Sequence, residues 1–256
     1  MTNSNLTWVV QDKAFDKSDF DALRKAVEAS NARFEALQII PFSHEPIDAV
    51  PPISGKCIVY GSSGLLSLGH KLAWTPCGWD GQSFSQRNTI KKLKDLALNS
   101  DGLFGNWSEI ASLAHDQNWQ EVFVRPDDET KVFPGRVLKV NELEKWLNQL
   151  QDTEYLKENN NAALIAPIQA IGREWRIFFV GGSLVSACQY ARAGQSERKA
   201  ECPLPVMHFA KSAVEKYRPA ECFVMDVVEL QDEMDNPYRV VEFNSINSAG
   251  FYACNI

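Results

Sequence analysis

Alternating and periodic apolar residues predict strands and helices in turn through the first third of the chain. The run TWVVQ predicts a first strand, and FEALQIIPF and KCIVYGSSG predict two more. Between them, KSDFDALRKAVEAS predicts a helix because Phe20, Leu23 and Val27 recur at helical spacing, with Ser18 placed as its cap. Strand, helix and strand together predict a small α/β domain over residues 1–82.

The middle of the chain mixes the two patterns. RNTIKKLKDLALNS and EIASLAHDQNW predict helices, and the second of them precedes the predicted strand EVFVRPD. RVLKV predicts another strand, and NELEKWLNQLQD predicts a helix in which Asn141 and Glu144 form a pair like a capping box.

Strands dominate the last part of the chain. AALIAPIQAI, EWRIFFVGG and SLVSACQY predict three consecutive strands, and the pair Gly181-Gly182 suits a two-residue hairpin turn. The charged segment ARAGQSERKAE predicts an exposed loop and MHFAKSAVEKYR a helix, and ECFVMDVVEL and YRVVEFNSIN predict two final strands. Antiparallel strands with helices against them predict an α+β fold.

Composition and charge narrow the possible functions. The 256 residues, 45% hydrophobic and 23% charged, can build a sizeable core. A net charge of −7 argues against broad binding to a phosphate backbone, so no nucleic acid partner is expected. Neither an apolar run of about 18 residues nor a secretory leader pattern stands out, so we expect no membrane association and a cytoplasmic location. The six scattered cysteines are typical of reduced thiols.

Polar side chains gather at one end of the last predicted hairpin. If Leu230 opposes Tyr238 across the loop QDEMDNP, Asp226 falls opposite Glu242, and Asn244 shares the face of Glu242. Two facing carboxylates in apolar surroundings repel each other, and a divalent cation between them removes the repulsion. Oxygen ligands that leave room for phosphate oxygens suit Mg²⁺. The alternative is an exposed hairpin end in which water solvates both acids.

The segments FVMDVVEL and YRVVEFNSINSAGFY resemble the end of an ATP-grasp domain, and the resemblance covers about residues 83–256. In that family an acid on one strand and a Glu-x-Asn on the next hold two magnesium ions against the ATP phosphates. The resemblance implies that the metal ligands here are Asp226, Glu242 and Asn244. It also implies a lid-like central part over about 83–160 and a metal-binding part over about 161–256, both preceded by the α/β domain.

Three further segments resemble nucleotide-binding parts of the family. VFVRPDDETKVFPG is similar to the segment that carries a phosphate-binding lysine, a place that Arg125 takes here, with Lys131 as the other candidate. GREWRIFFVGG resembles the Gly-x-Glu strand and makes Glu174 a nucleotide-binding candidate. ALIAPIQAI resembles the strand that holds adenine through its backbone. The residues concerned are Ile165, Ala166, Pro167 and Ile168.

Arg176 is the first candidate for stabilising a transferred phosphoryl group or a tetrahedral oxyanion, and Arg173 is the second. A regular hairpin places Arg176 opposite Ala187 and Glu174 opposite Gln189. Arg176 then points into the same cleft as the metal ligands.

The resemblance implies an ATP-dependent carboxylate–amine ligase. A substrate carboxylate attacks the γ-phosphate of ATP to give an acylphosphate and ADP, and an amine then displaces phosphate to form an amide. The implied substrates are small-molecule or peptide carboxylates and amines, including amino acids and protein tails. The pattern most resembles an ATP-grasp clade of bacteria and phages that is named for one arginine and two lysines and is associated with peptide or protein tagging.

Other functions remain open at this point. Arg125 in place of the usual lysine, and Val224 where the family's dipeptide ligases carry an arginine, favour a non-catalytic ATP/Mg-binding regulatory module. A metal-dependent phosphohydrolase built on the same acids is a third hypothesis. The segment SINSAGFY is expected to help hold the acceptor substrate through Ser248, and VYGSSGLL is either an anion-binding turn or an ordinary tight turn.

Overall fold

The structure is a computed structural model that describes residues 5–41, 43–79, 81–128, 133–151 and 162–256. The strands are β1 (Leu6–Gln11), β2 (Arg33–Leu37), β3 (Lys56–Tyr60), β4 (Pro76–Cys77), β5 (Leu103–Gly105), β6 (Glu121–Pro126), β7 (Arg136–Lys139), β8 (Ala163–Pro167), β9 (Ile171–Val180), β10 (Ser183–Arg192), β11 (Gln195–Lys199), β12 (Cys222–Leu230) and β13 (Tyr238–Ser245). The helices are α1 (Lys17–Ala29), α2 (Ser63–Lys71), α3 (Gln86–Leu93), α4 (Ile110–Asp116), α5 (Val140–Gln151) and α6 (Leu204–Lys216).

The first sheet has the order β2-β1-β3-β4, and its neighbouring strands are parallel. The helix α1 crosses from β1 to β2 and buries Leu23 and Val27, as the apolar spacing predicts. The cap prediction was wrong, because the helix begins at Lys17 and Asp16 precedes it, so Ser18 lies inside the first turn.

The second sheet has the order β5-β8-β6-β7, and its pairs are antiparallel. The helices α4 and α5 pack on it around Ile110, Val124, Leu143 and Ile165. The helix α5 starts at Val140, so the predicted capping box was wrong because Asn141 is already helical.

The third sheet has the order β11-β10-β9-β12-β13 and is antiparallel. Its apolar face packs against α3 and α6 around a core that includes Trp175, Ile177, Phe223 and Phe243. The three sheets and their helices confirm the predicted α+β class. The strand β8 pairs within the second sheet although it follows residue 160, and the predicted domain boundaries stay predictions.

The hairpin between β9 and β10 has the predicted two-residue turn but not the predicted register. Gly181 and Gly182 have φ angles of +59° and +80°, which favour glycine, and Ser183 pairs with Val180. The register then shifts twice along β10. As a result, the first residues of β9 pair with β10 residues that have higher numbers than in a regular hairpin.

These shifts contradict both predicted pairs. Arg176 lies opposite Cys188 rather than Ala187, and Glu174 lies opposite Ala191 rather than Gln189. The segment ARAGQSERKAE was also wrongly predicted as a loop, because a tight turn returns the chain and β11 pairs with β10.

In the last hairpin, Asp226 pairs with Glu242 and Val224 with Asn244, which confirms the predicted register at that end. Near the loop the prediction was wrong, because a shift between Asp226 and Val227 moves Tyr238 opposite Glu229 instead of Leu230. Val241 is the extra residue of this bulge.

The segment after β13 joins the first sheet to the third through hydrogen bonds of Asn247. Its Oδ1 accepts a hydrogen bond from the backbone N–H of Trp79 at 2.8 Å, and its Nδ2 donates to the carbonyl oxygen of Val59. Its own carbonyl oxygen accepts from the N–H of Gly61 at 2.7 Å.

Aromatic rings reinforce the same contact between the two sheets. The Tyr60 ring stacks on Phe251 with centroids 5.2 Å apart, and Phe251 stacks on Phe178 at 5.6 Å. The Tyr60 hydroxyl donates to the carbonyl oxygen of Ala249. None of the helices within the described ranges is both long and apolar enough to cross a bilayer.

Candidate active site

A cleft of about 430 Å³ lies between the second and third sheets. We call it the first cleft. Apolar side chains from β6, β12 and β13 line it, together with a small number of charged groups, which is the usual composition of a small-molecule site. The apolar members include Phe123, Val228 and Val241, and the charged members are Arg125, Glu174 and Glu242.

The bulge in β13 explains why a carboxylate reaches this cleft. In a regular strand, consecutive side chains point to opposite faces. Val241 is the inserted residue, and both Val241 and Glu242 line the cleft. The bulge therefore presents an apolar and an acidic side chain side by side.

Arg125 and Glu242 join the two sheets across the first cleft. The Nη2 of Arg125 donates to Oε2 of Glu242 at 2.6 Å, and both side chains are almost buried. Charge-assisted pairs of this kind are stronger than neutral hydrogen bonds. In the structure Arg125, the residue in the predicted place of a phosphate-binding lysine, holds one of the predicted metal ligands. The other candidate, Lys131, lies outside the described residues.

A second buried pair joins Arg176 to Asp226. The Nε and Nη2 of Arg176 donate to the two carboxylate oxygens at 2.9 and 2.7 Å, with side chains only 7% and 3% exposed. Burial acts to lower the pKa of Arg176, but the charge and hydrogen bonds of Asp226 raise it above its ordinary value. The guanidinium also donates to the carbonyl oxygen of Gly250 and lies over the Tyr252 ring.

Asn244 connects the two carboxylates. Its Nδ2 donates to Asp226 Oδ2 at 3.2 Å and to Glu242 Oε1 at 3.0 Å. The structure thus brings the three predicted metal ligands into one hydrogen-bonded set, while their role as ligands stays a prediction. In the described part of the chain no group of three His, Cys, Asp or Glu side chains forms a metal site, so the set offers two acids and one amide.

This donor set fits a small, hard cation. Each carboxylate oxygen of the set already accepts a hydrogen bond, and Asp226 Oδ2 accepts two. A bound cation would therefore replace some of these donors, and Asn244 would offer its amide oxygen after rotation about the terminal bond. Mg²⁺ prefers one or two protein carboxylates, with water and phosphate oxygens completing its coordination.

Arg173 forms an ion pair of its own. Its Nε and Nη2 donate to the carboxylate of Glu229, both at 2.9 Å, and its guanidinium lies over the Trp175 ring. The pair is more exposed than that of Arg176, at 40% and 24%. Neither arginine is among the described residues that line the first cleft, so their proposed contact with the reacting groups stays a prediction.

Glu174 lines the first cleft and is held by two donors. The Tyr190 hydroxyl donates to its Oε2 at 2.9 Å, and the N–H of Gly194 donates to Oε1 at 3.3 Å. Burial raises the pKa of Glu174, although both hydrogen bonds act to lower it. The predicted adenine-binding segment lies nearby: Ile165 and Ala166 are buried in β8, and Pro167 and Ile168 line the cleft.

The raised pKa of Glu174 predicts a pH-dependent stability. The pKa of Glu174 in the folded chain lies above the unfolded value of about 4.3. Between these two pKa values the folded chain keeps a proton on Glu174 that the unfolded chain has released. The contribution of the neutral acid is complete below the unfolded pKa and is lost as pH rises through the folded pKa. The free energy of unfolding of Glu174→Gln should therefore rise relative to that of the unaltered protein as the pH increases above the unfolded pKa, and the difference should change little below it.

Urea unfolding of both proteins at several pH values measures this difference. Parallel stability curves for the unaltered chain and Glu174→Gln would contradict the raised pKa.

A second cleft, of about 730 Å³, is lined by α2, the start of α3 and the segment after β13. The segment VYGSSGLL leads into α2, whose N-cap Ser62 accepts a hydrogen bond from the N–H of Leu65. Ser85 caps α3 in the same way, accepting from the N–H of Asn88 at 3.2 Å. Ser248, expected to contact the acceptor substrate, also lines this cleft. Anion binding by the turn stays a prediction.

Arg87 and Asp127 also lie in the second cleft, although no pattern in the sequence pointed to them. The Oδ1 of Asp127 accepts a hydrogen bond from the N–H of Arg87 at 2.7 Å, and the two side chains approach to 3.7 Å. Asp127 thus fixes the start of α3 and holds Arg87 at the cleft. Asp127 follows Arg125 closely in the chain, as Ser245 follows Glu242, so the same strands supply both clefts. The available signal in the sequence for this cleft was Ser85, a residue type that often caps a helix. It stands just before the helix whose start lines the cleft.

A comparison with protein families places the chain in one of them. The model that matches residues 70–256 describes an ATP-grasp domain, family 3 of the clade named for one arginine and two lysines. No curated protein matches the chain significantly.

Solved structures with the same fold cover nearly the whole chain. D-cycloserine synthetase DcsG superposes with a TM-score of 0.68 at 12% identity, covering 95% of this chain and 92% of that one. D-alanine–D-alanine ligase from Bacillus anthracis gives 0.63 at 11% identity, covering 96% and 88%. The ATP-grasp ligase PsnB, complexed with minimal precursor, Mg and ADP, gives 0.53 at 13% identity, covering 98% and 92%.

Proposed function

The chain belongs to family 3 of the ATP-grasp clade named for one arginine and two lysines, and from this premise we propose that it is an ATP-dependent carboxylate–amine ligase. Family membership confirms the fold and the clade that the sequence resembles. ATP-grasp domains bind ATP together with Mg²⁺. The proposed reaction converts ATP, a carboxylate and an amine into ADP, phosphate and an amide.

One observation carries the proposal: Asp226, Glu242 and Asn244 form a single hydrogen-bonded set beside an apolar cleft. These three residues are the proposed magnesium ligands, for two ions as the family resemblance implies. Bound Mg²⁺ would offset the charge of the phosphates and polarise the γ-phosphoryl group.

The chain's own residues position the nucleotide. The apolar walls of the first cleft suit a purine base, and Pro167 and Ile168, whose backbone would contact the base edge, line the same cleft. Arg125 offers a planar, permanently charged fork to phosphate oxygens while it remains next to Glu242. Arg176 holds the Asp226 carboxylate in place through two hydrogen bonds, which makes it a positioning residue in this proposal.

The second cleft is the proposed site of the carboxylate and the amine. Arg87 and the hydroxyl of Ser248 line it and suit a carboxylate-bearing substrate. The similar structures include a D-cycloserine synthetase, a D-alanine–D-alanine ligase and a ligase complexed with its minimal precursor, which supports a small-molecule or peptide substrate. The proposed route runs through an acylphosphate, and tagging of a peptide or protein in a bacterial or phage cytoplasm is part of the same proposal.

One observation favours the alternative of a non-catalytic ATP/Mg-binding module. Both acids of the proposed metal site already pair with buried arginines, Glu242 with Arg125 and Asp226 with Arg176. These cations partly replace the charge that a metal would supply. A module of this kind would bind nucleotide without turning it over.

An assay of acceptor-stimulated ADP formation tests the ligase. The chain is incubated with ATP, Mg²⁺ and pools of amino acids or peptides, and ADP and phosphate are measured. ADP that appears only with an added carboxylate and amine supports the ligase. Tight ATP binding without ADP in any pool contradicts it in favour of the module, and phosphate release without an acceptor contradicts it in favour of a phosphohydrolase.

A further inference from the structure

Asn99 has a buried donor without an acceptor. The residue is only 6% exposed, and its Nδ2 has no hydrogen-bond partner among the described residues. Asn99 lines the first cleft beside Leu98. Buried polar groups are almost always paired, and an unpaired donor costs about 1–3 kcal/mol, so a ligand that supplied an acceptor to Asn99 would remove this cost.

The backbone around Asn99 is fixed on two sides. The N–H of Leu98 donates to the carbonyl oxygen of Val240 on β13 at 2.9 Å, and the carbonyl oxygen of Asn99 accepts from Gly102 at the same distance. Gly102 packs so closely on β8 that an added Cβ would lie 2.5 Å from Leu164. The chain therefore holds Asn99 between the two sheets that form the cleft, and its position does not depend on a free loop.

We propose that Asn99 recognises the base of the bound nucleotide, with Nδ2 donating a hydrogen bond to a ring nitrogen of the purine. This inference rests on the proposed function, because it assumes that the first cleft holds ATP.

The surroundings of Asn99 favour the base over the phosphates. Leu98, Phe123, Ile168 and Val241 give the cleft apolar walls, which suit the faces of a planar base. Phosphate oxygens need cations, and among the described residues that line this cleft the cation is Arg125, to which the proposed function assigns the phosphates. A purine ring presents nitrogen acceptors at its edge, which match the unpaired donor of Asn99.

Binding of deaza analogues tests the proposal. The affinities of ATP and of 1-deaza-, 3-deaza- and 7-deaza-ATP are measured with Mg²⁺ for the unaltered chain, for Asn99→Ala and for the control Asn236→Ala, an exposed asparagine in the last hairpin loop. We expect the unaltered chain and the control to bind one analogue about tenfold more weakly than ATP. Asn99→Ala should bind ATP about tenfold more weakly and bind that analogue no worse than ATP.

The outcomes separate this inference from the proposed function. If the unaltered chain binds ATP but all three analogues bind equally well, or if Asn99→Ala keeps the same preference, Asn99 does not read the base. If the unaltered chain binds no nucleotide, the proposed function fails and this inference fails with it. A thermal melt checks folding, and Asn99→Leu, which has the same branched shape and buries no donor, replaces the alanine variant if that variant unfolds.

Discussion

Glu242→Gln should lower Mg²⁺-dependent ATP turnover by about a hundred- to a thousandfold. Glu242 is the member of the proposed metal set that lines the first cleft, and it is also the partner of Arg125. The amide keeps the size of the side chain but removes the charge that a cation and the guanidinium share. We choose Gln because Ala would leave the buried Arg125 without a side-chain acceptor on β13 and would destabilise the fold.

A second glutamate–arginine pair in the same hairpin provides the control. Glu233 pairs with Arg239 at 2.5 Å near the loop, away from the first cleft, and its side chain is 43% exposed. Glu233→Gln should leave turnover unchanged within about twofold. ADP formation with the acceptor found in the pool assay measures both variants, and full activity in Glu242→Gln would remove this residue from the metal site.

Arg176→Met should destabilise the folded chain by about 3–5 kcal/mol. The substitution leaves Asp226, which is 2% exposed, as a buried carboxylate without its bidentate partner. Urea unfolding at about pH 7 measures the loss in free energy of unfolding. The double variant with Asp226→Asn should lose less than the single variant, because the cost arises from an uncompensated charge.

Arg173→Met is the matched control on the same strand. Arg173 pairs with Glu229 in the same bidentate geometry, but with side chains 40% and 24% exposed. Water screens this pair, so we expect a loss of no more than about 1 kcal/mol. Equal losses for the two arginines would show that burial does not set the cost of breaking these pairs.

The sequence predicted the proposed metal set best, because a single hairpin contains all three of its residues. Asp226 and Glu242 lie on neighbouring strands, and the period of two placed Asn244 on the same face, so their convergence followed from local geometry. The predicted register near the loop was wrong because the alternation of apolar and polar residues did not indicate the bulge. The two shifts in β10 escaped prediction for the same reason.

The arginine partners were beyond the reach of the sequence. Arg176 contacts Asp226 because β9 lies beside β12 in the third sheet. The order of strands in a sheet cannot be predicted from its individual hairpins. Arg125 meets Glu242 only through the contact of two sheets. Asn99 belongs to no sequence motif. It became a candidate because its Nδ2 is buried without an acceptor among the described residues, which only the folded structure shows.

The hydrogen bonds of Asn247 have a mechanical consequence. A displacement of the first sheet relative to the end of β13 must break three hydrogen bonds of this one residue, each worth about 1 kcal/mol net, and must unstack Tyr60 from Phe251. We therefore expect the first and third sheets to move together. Opening of the first cleft would then require movement of the second sheet and loss of the Arg125–Glu242 ion pair.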